Sequence, residues 1–189
     1  VTLLLLLRHG RTSETTEARL KGRLDVPLSD AGRAEVACWR LPAPFTSPLA
    51  RARETAALLG VAADVDDRLI EMDWGRWEGR TLEDLRAEDP EGLAANEARG
   101  LDFRPAGGES PRAVQDRLRP WLAEAVGSPH AAAVTHKGVI RAIVGLATGW
   151  DFLGSPPVRV GHGRGYLLRL APDGAPAVVD LDISLGSET

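Results

Sequence analysis

Apolar and polar positions along this 189-residue chain fall into three patterns. The first is continuous. Leu3-Leu4-Leu5-Leu6-Leu7 is an apolar run of strand length, the mark of a strand buried on both faces, and it ends abruptly in Arg8, His9 and Gly10. The second is helical. Ser29 is placed to cap a helix from Asp30 to about Arg40, and Ala52, Ala56 and Leu59 share one face of a helix over Leu49–Leu59 that Gly60 stops. Thr81 heads a helix over Leu82–Glu88, with Pro90 opening a further short one. Ser110-Pro111 starts a long helix to about Val126, inside which Pro120 predicts a kink or break, and another helix covers Val139 to about Thr148. The third pattern is short and extended. Phe45-Thr46-Ser47 and Ala131–Thr135 read as strands, and Tyr166–Leu170 with Ala177–Leu181 as a hairpin about Pro172-Asp173-Gly174. Residues 61–80 read as irregular, and Gly161–Gly165 as a turn before the hairpin.

Recurring strand–helix units imply an α/β fold, a three-layer sandwich with a mainly parallel sheet flanked by helices. The segment of about 79–133 is expected to form a small helical cap over the carboxyl edge of that sheet, within one domain spanning 1–189. Net charge is −4, with acids and bases interspersed, which argues against a nucleic-acid arm or a membrane-surface helix. The longest apolar run is too short to span a bilayer and lacks the flanks of a signal peptide. A single cysteine, Cys38, excludes an internal disulfide and fits a reducing compartment, so a cytoplasmic protein is expected. Cys38 itself reads as a mid-helix core residue.

Three strand ends carry related chemistry. Arg8-His9 follows the first strand, Arg51 opens the helix after the second, and His136-Lys137 follows Ala131–Thr135. In open α/β sheets ligands bind beyond the carboxyl ends of the strands, where helix N-termini favour anions. Arginine's planar fork suits bidentate contact with phosphate oxygens, and a histidine can attack phosphorus to form a covalent intermediate that water later resolves. Two histidines and two arginines on one edge therefore make a trap for a dianionic tetrahedral group. Competing sites fail on spacing. The chain has no Gly-x-x-x-x-Gly-Lys-Ser/Thr loop, Gly161-His162-Gly163-Arg164-Gly165 lacks the dinucleotide pattern, and the histidines lack metal-ligand spacing, so neither metal nor cofactor is expected.

Leu7-Arg8-His9-Gly10-Arg11-Thr12 resembles the signature of the histidine phosphatase superfamily, the phosphoglycerate mutase-like proteins. The resemblance continues in order through Asp25–Gly32, Ser47–Ala56, Arg68-Leu69-Ile70-Glu71 with Gly75–Gly79, Gly107–Ser110 and Thr135-His136-Lys137-Gly138. It implies that His9 is the nucleophile that becomes phosphorylated, and that Arg8, Arg51 and His136 hold the phosphoryl oxygens and stabilise transition-state charge. It makes Glu71 the group that protonates the leaving oxygen and then activates water, a role that calls for burial or neighbouring acids to keep a proton there. Thr12, Thr15, Lys21, Gly22 and Lys137 join Arg8 and Arg51 as substrate-binding candidates. Asp25, Glu78 and Glu109 read as caps or loop-bonding residues. Two positions depart from the family pattern: Thr15 stands where asparagine is frequent, and Lys137 where glycine commonly follows the second histidine.

The resulting expectation is a metal-independent phosphomonoesterase that hydrolyses a small phosphorylated metabolite through phosphohistidine. Phosphoglycerate mutase-type transfer and a regulatory phosphoprotein phosphatase are the alternatives. A mutase needs a closing lid over its intermediate, whereas the 79–133 segment is compact and most of the tail is used by the hairpin, leaving Leu185–Thr189. The expected partner is a small-molecule phosphate ester rather than nucleic acid or membrane, and the oligomeric state stays open between monomer and homodimer.

Overall fold

The computed structural model describes residues 2–13, 19–39, 45–60, 62–128 and 131–186. Six strands form one sheet: β1 (Thr2–Arg8), β2 (Phe45–Thr46), β3 (Asp64–Val65), β4 (Ala131–Thr135), β5 (Arg164–Leu170) and β6 (Pro176–Ser184), in the spatial order β3-β2-β4-β1-β5-β6. The β1–β4, β4–β2 and β2–β3 pairings are parallel, and β5 pairs antiparallel with both β1 and β6. Among the described residues six α-helices accompany them: α1 (Asp30–Val36), α2 (Ala50–Leu58), α3 (Leu82–Glu88), α4 (Pro90–Glu97), α5 (Pro111–Ala125) and α6 (Lys137–Thr148).

The leucine run explains the layering. Successive side chains of a strand point to opposite faces, so a run that is apolar at every position must be covered twice. Leu4 and Leu6 pack with Val114, Leu118 and Trp121 of α5 and with Ile140 and Ile143 of α6, whereas Leu7 packs with Val36 of α1 and with Ala52 and Ala56 of α2. The mainly parallel three-layer sandwich is therefore the observed fold. The helices after β1 and β2 cover one face and those flanking β4 the other. A crevice opens at the carboxyl ends of β1 and β4, where coverage changes side.

Local chemistry fixes the helix starts. Ser29 Oγ accepts from Gly32 N, Thr81 and Asp84 form a reciprocal capping box, and Ser110 Oγ accepts from Ala113 N ahead of Pro111. Three expectations need correction. α1 ends at Val36, short of Arg40, so Cys38 is an exposed residue beyond the helix rather than a core residue within it. α5 continues through Pro120, so the break expected there as one of two outcomes does not occur; Pro120 and Asp116, whose carbonyl loses its helical donor, are both exposed residues. Residues 61–80 include the edge strand β3 and two 3-10 turns, Asp67–Leu69 and Gly75–Trp77. The hairpin and its Pro172-Asp173-Gly174 turn are as expected, with β5 starting at Arg164 and β6 running on to Ser184. Among the described residues no helix is long and apolar enough to cross a membrane.

Candidate active site

Strand register brings the histidines together. Arg8 lies opposite Thr135 in the parallel β1–β4 pair, so His9 and His136, each one residue further on, emerge from adjacent strands at the same level. Their ring centroids are 5.1 Å apart. The ladder continues past the strand ends, with His9 N donating to Thr135 O (3.0 Å) and Ser47 N to Val134 O (3.0 Å). Ser47 thereby stands beside His136, and Ser47 Oγ lies 2.6 Å from His136 Nε2.

One hydrogen bond fixes the state of His9. Its Nδ1 lies 2.7 Å from the Gly10 carbonyl oxygen. A carbonyl only accepts, so Nδ1 carries the proton, and in the neutral ring the lone pair is then on Nε2. The ring is held neutral, because burial lowers its pKa well below the ordinary value and the Arg51 and Arg8 charges lower it further. Burial, then His9 and Arg51, do the same for His136. The third member of the group, His162, was read from sequence only as part of a turn. Its Nδ1 donates to the His9 carbonyl oxygen (2.9 Å), its ring lies edge-on to His9 at 5.8 Å, and burial followed by Arg8 lowers its pKa to about 4.

Around His9 is a cavity of about 340 Å³ walled by Arg8, Lys21, Gly22, Arg51, Glu71 and Lys137, with Trp74, Arg141 and Leu82 further round. Arg51 is almost wholly buried at the start of α2. It donates from Nη1 to Leu24 O (2.7 Å) and from Nη2 to Gly22 O (2.8 Å), folding the Lys21–Leu24 loop onto the site, while its Nε has no partner among the described residues. Gly22 is required in that loop: its φ is +48°, and a Cβ there would lie 2.1 Å from Glu78 Oε1. Thr55 supports the first strand end by accepting from Gly10 N (2.9 Å) while donating to Arg51 O (2.7 Å).

Glu71 reaches the N-terminus of α6. Its Oε1 accepts from Met72 N (2.9 Å) and from Gly138 N (3.1 Å). Gly138 permits the approach, since a Cβ would sit 2.4 Å from Glu71 Oε1. The expected setting for Glu71 was burial or neighbouring acids. The structure instead gives a half-buried carboxylate whose partners are backbone N–H groups. Arg117 braces the segment leading to it, donating to the carbonyls of Arg68 and Ile70 and to both oxygens of Glu109. Asp25 accepts from Ala50 N at the head of α2, Glu78 from Arg23 N, and Glu109 from Asp73 N, the bonding roles read from sequence.

Not every candidate lies on the cavity wall. His136 is completely buried beside His9, with Nδ1 unpartnered among the described residues. Thr12 is buried off the wall, bridged to Leu28. Thr15 lies outside the described residues. Lys137 is solvent-exposed as a residue, yet its ammonium is held below the ordinary lysine range by desolvation and then by Arg141 and Arg8. Sequence reading missed His162, Ser47, Thr55, Arg117 and Arg141. Arg141 carried a signal, since it follows Lys137 by four residues on the helix that leaves the histidine strand. Among the described residues no group of three His, Cys, Asp or Glu side chains is arranged to hold a metal ion.

Fold and site first define a class: an α/β protein whose anion-receptive cleft is built on a neutral histidine flanked by arginines. Within that class, the chain belongs to the histidine phosphatase superfamily, branch 1, whose family model matches residues 4–181. It is 34% identical over 194 aligned residues to a glucosyl-3-phosphoglycerate phosphatase of Mycolicibacterium vanbaalenii, covering 90% of this chain and 84% of that protein. It is 31% identical over 163 residues to 2,3-bisphosphoglycerate-dependent phosphoglycerate mutase 2 of Gloeobacter violaceus, covering 76% and 74%. Among solved structures, the native mycobacterial glucosyl-3-phosphoglycerate phosphatase superposes with a TM-score of 0.81 at 27% identity, over 99% of this chain and 100% of that one.

Proposed function

We propose that this protein is a phosphatase that hydrolyses a small phosphorylated metabolite, with His9 as nucleophile. The observation that carries this reading is the Nδ1–H bond from His9 to the Gly10 carbonyl, which leaves the Nε2 lone pair in a cavity walled by Arg8 and Arg51. In the first step the Nε2–P bond forms and the bond from phosphorus to the ester oxygen breaks, with Glu71 giving its proton to the departing alcohol. In the second, water attacks phosphorus, its proton goes to Glu71, and the Nε2–P bond breaks to release inorganic phosphate. Arg8, the free Nε of Arg51 and His136 Nδ1 supply donors for the phosphoryl oxygens and stabilise the charge that grows on them. Lys21, Gly22 and Lys137, which line the cavity, complete the substrate-binding set together with Thr15, whereas Thr12, buried off the wall, supports the strand end instead. The working unit is a single domain in which α3 and α4, from the 79–133 segment, provide the cap, since Leu82 at the head of α3 lines the cavity. A cytoplasmic setting suits its lone cysteine.

The relationship to a mutase makes phosphoryl transfer the second reading. Hydrolysis is favoured because Pro176–Ser184 is held in the sheet and Leu185 is packed in the core, so this part of the tail is committed away from the phosphohistidine. The test is product analysis with 3-phosphoglycerate and 2,3-bisphosphoglycerate supplied together, beside a panel of esters led by glucosyl-3-phosphoglycerate. Phosphate release is expected to outrun isomerisation. Faster formation of 2-phosphoglycerate would replace the phosphatase reading with the mutase one.

A further inference from the structure

Apart from the 3-10 turn Asp67–Leu69, the segment that carries Glu71 is irregular, and no strand ladder takes up its carbonyls. Side chains from three other parts of the fold do so instead. Arg117 of α5 donates to Arg68 O and, from Nη2, to Ile70 O (2.7 Å). Thr135 Oγ1 at the end of β4 donates to Leu69 O (2.8 Å), and Arg23 Nε of the Lys21–Leu24 loop reaches Glu71 O at 3.5 Å. Four successive carbonyls, Arg68 to Glu71, are thus held from outside the segment, three of them by guanidinium groups.

Glu109 ties the two arginines together. Its Oε1 accepts from Arg117 Nε (3.0 Å) and its Oε2 from Arg117 Nη2 (3.2 Å), while Arg23 Nη2 lies 3.2 Å from the same Oε2. Oε2 also accepts from Asp73 N (3.1 Å), and Glu109 N donates to Asp73 O (2.9 Å), which fixes the chain just beyond Glu71. Asp73 itself faces Arg23 at 3.4 Å. Burial acts to raise the pKa of Glu109, yet hydrogen bonds and charge from Arg117 outweigh it and keep the group an anion. Gly108 permits this contact, since a Cβ there would lie 2.4 Å from Asp73 O. None of Arg23, Glu109 and Arg117 lines the cavity around His9. Without the Glu109 charge, the largely buried Arg117 guanidinium has no facing carboxylate and gains by turning to water, which releases Arg68 O and Ile70 O.

Building on the phosphatase reading, we propose that Glu109 is a positioning residue for Glu71: by holding Arg23 and Arg117 it fixes the Arg68–Glu71 segment, and with it the carboxyl group that protonates the leaving oxygen. It acts on the chemistry only through Glu71, and touches neither substrate nor phosphoryl group.

The test measures kcat/KM, which covers the step in which the alcohol departs, for the alkyl esters 3-phosphoglycerate and glucosyl-3-phosphoglycerate and for p-nitrophenyl phosphate, whose leaving group needs no proton. Glu109→Gln keeps the size of the side chain and removes its charge. It should lower the alkyl esters about tenfold or more, the scale expected when an acid is displaced by roughly an ångström, and leave the aryl ester near the parent. In a Glu71→Gln background the same substitution should cost nothing further on the alkyl esters. Arg23→Met, at the more exposed end of the clamp, should show the same selective loss in smaller measure, and it decides the matter if Glu109→Gln does not fold. Equal losses on both kinds of ester in Glu109→Gln, an undiminished loss in the Glu71→Gln background, or parental selectivity in the deciding variant would overturn the proposal. Glu71→Gln losing equally on both kinds of ester, or a parent that turns over p-nitrophenyl phosphate alone, would remove the acid step and the proposal with it. Inactivity of the parent toward every ester would refute the phosphatase reading itself.

Discussion

Acid should unfold this protein through its histidines. His9, His136 and His162 are all held neutral in the fold, with pKa values below the ordinary 6.5, and for His162 the folded value is about 4. In the unfolded chain each takes up a proton near 6.5. Between that pH and the folded pKa the unfolded state binds more protons, so stability is fully present above about pH 6.5 and is lost as pH falls below it. His162 contributes a slope approaching about 1.36 kcal/mol per pH unit, and the lowered His9 and His136 add to it with the same sign. His162 alone accounts for about 3 kcal/mol across its interval. Against a typical total of about 5–15 kcal/mol, the loss from His162 alone is a large share, and His9 and His136 deepen it in the same direction. The lowered carboxylates Asp66 and Glu109 act later, since their contribution is lost only below their ordinary values of 3.8 and 4.5. The assay is urea unfolding at half-unit steps from pH 7.5 to 4.5. His162→Gln should reduce the slope between pH 6 and 5 by about 1.4 kcal/mol per unit. A stability that stays flat over that interval, or a variant with the parental slope, would refute the reasoning.

Two further outcomes follow from the site. Glu71→Gln should lose most activity toward alkyl phosphates and much less toward p-nitrophenyl phosphate, whose leaving group needs no proton; equal losses on both would remove Glu71 from the acid role. Because burial and the two arginines lower the His9 pKa, the acidic limb of kcat/KM should fall below pH 6.5, and a limb centred above 6.5 would contradict the neutral-imidazole description.

The reach of sequence reading had physical limits. The leucine run is apolar at every position, so it announced a strand covered on both faces, and its polar end marked the edge where ligands bind. Capping residues such as Ser29, Thr81 and Ser110 act through their own local hydrogen bonds and were therefore legible. β3 was not, because Asp64 and Val65 are both exposed on an edge and show no alternation. Cys38 was misjudged because nothing local marks the end of α1 at Val36. His162 reaches His9 across 153 positions of sequence, and Arg117 reaches Arg68 and Ile70 from a different helix; neither contact leaves a trace in local pattern. Lys137 was noticed as a departure from the family's glycine, but its pairing with Arg141 emerged only when both were seen on one cavity wall.

The most direct test of the central claim is to trap the intermediate. Parent protein mixed briefly with a phosphate ester and quenched in base should carry an acid-labile phosphoryl group that peptide mapping assigns to His9, bonded through Nε2 because Nδ1 is committed to the Gly10 carbonyl. His9→Ala should fold, take up no label and show no turnover. Label on another residue, or near-parental turnover by folded His9→Ala, would contradict the account.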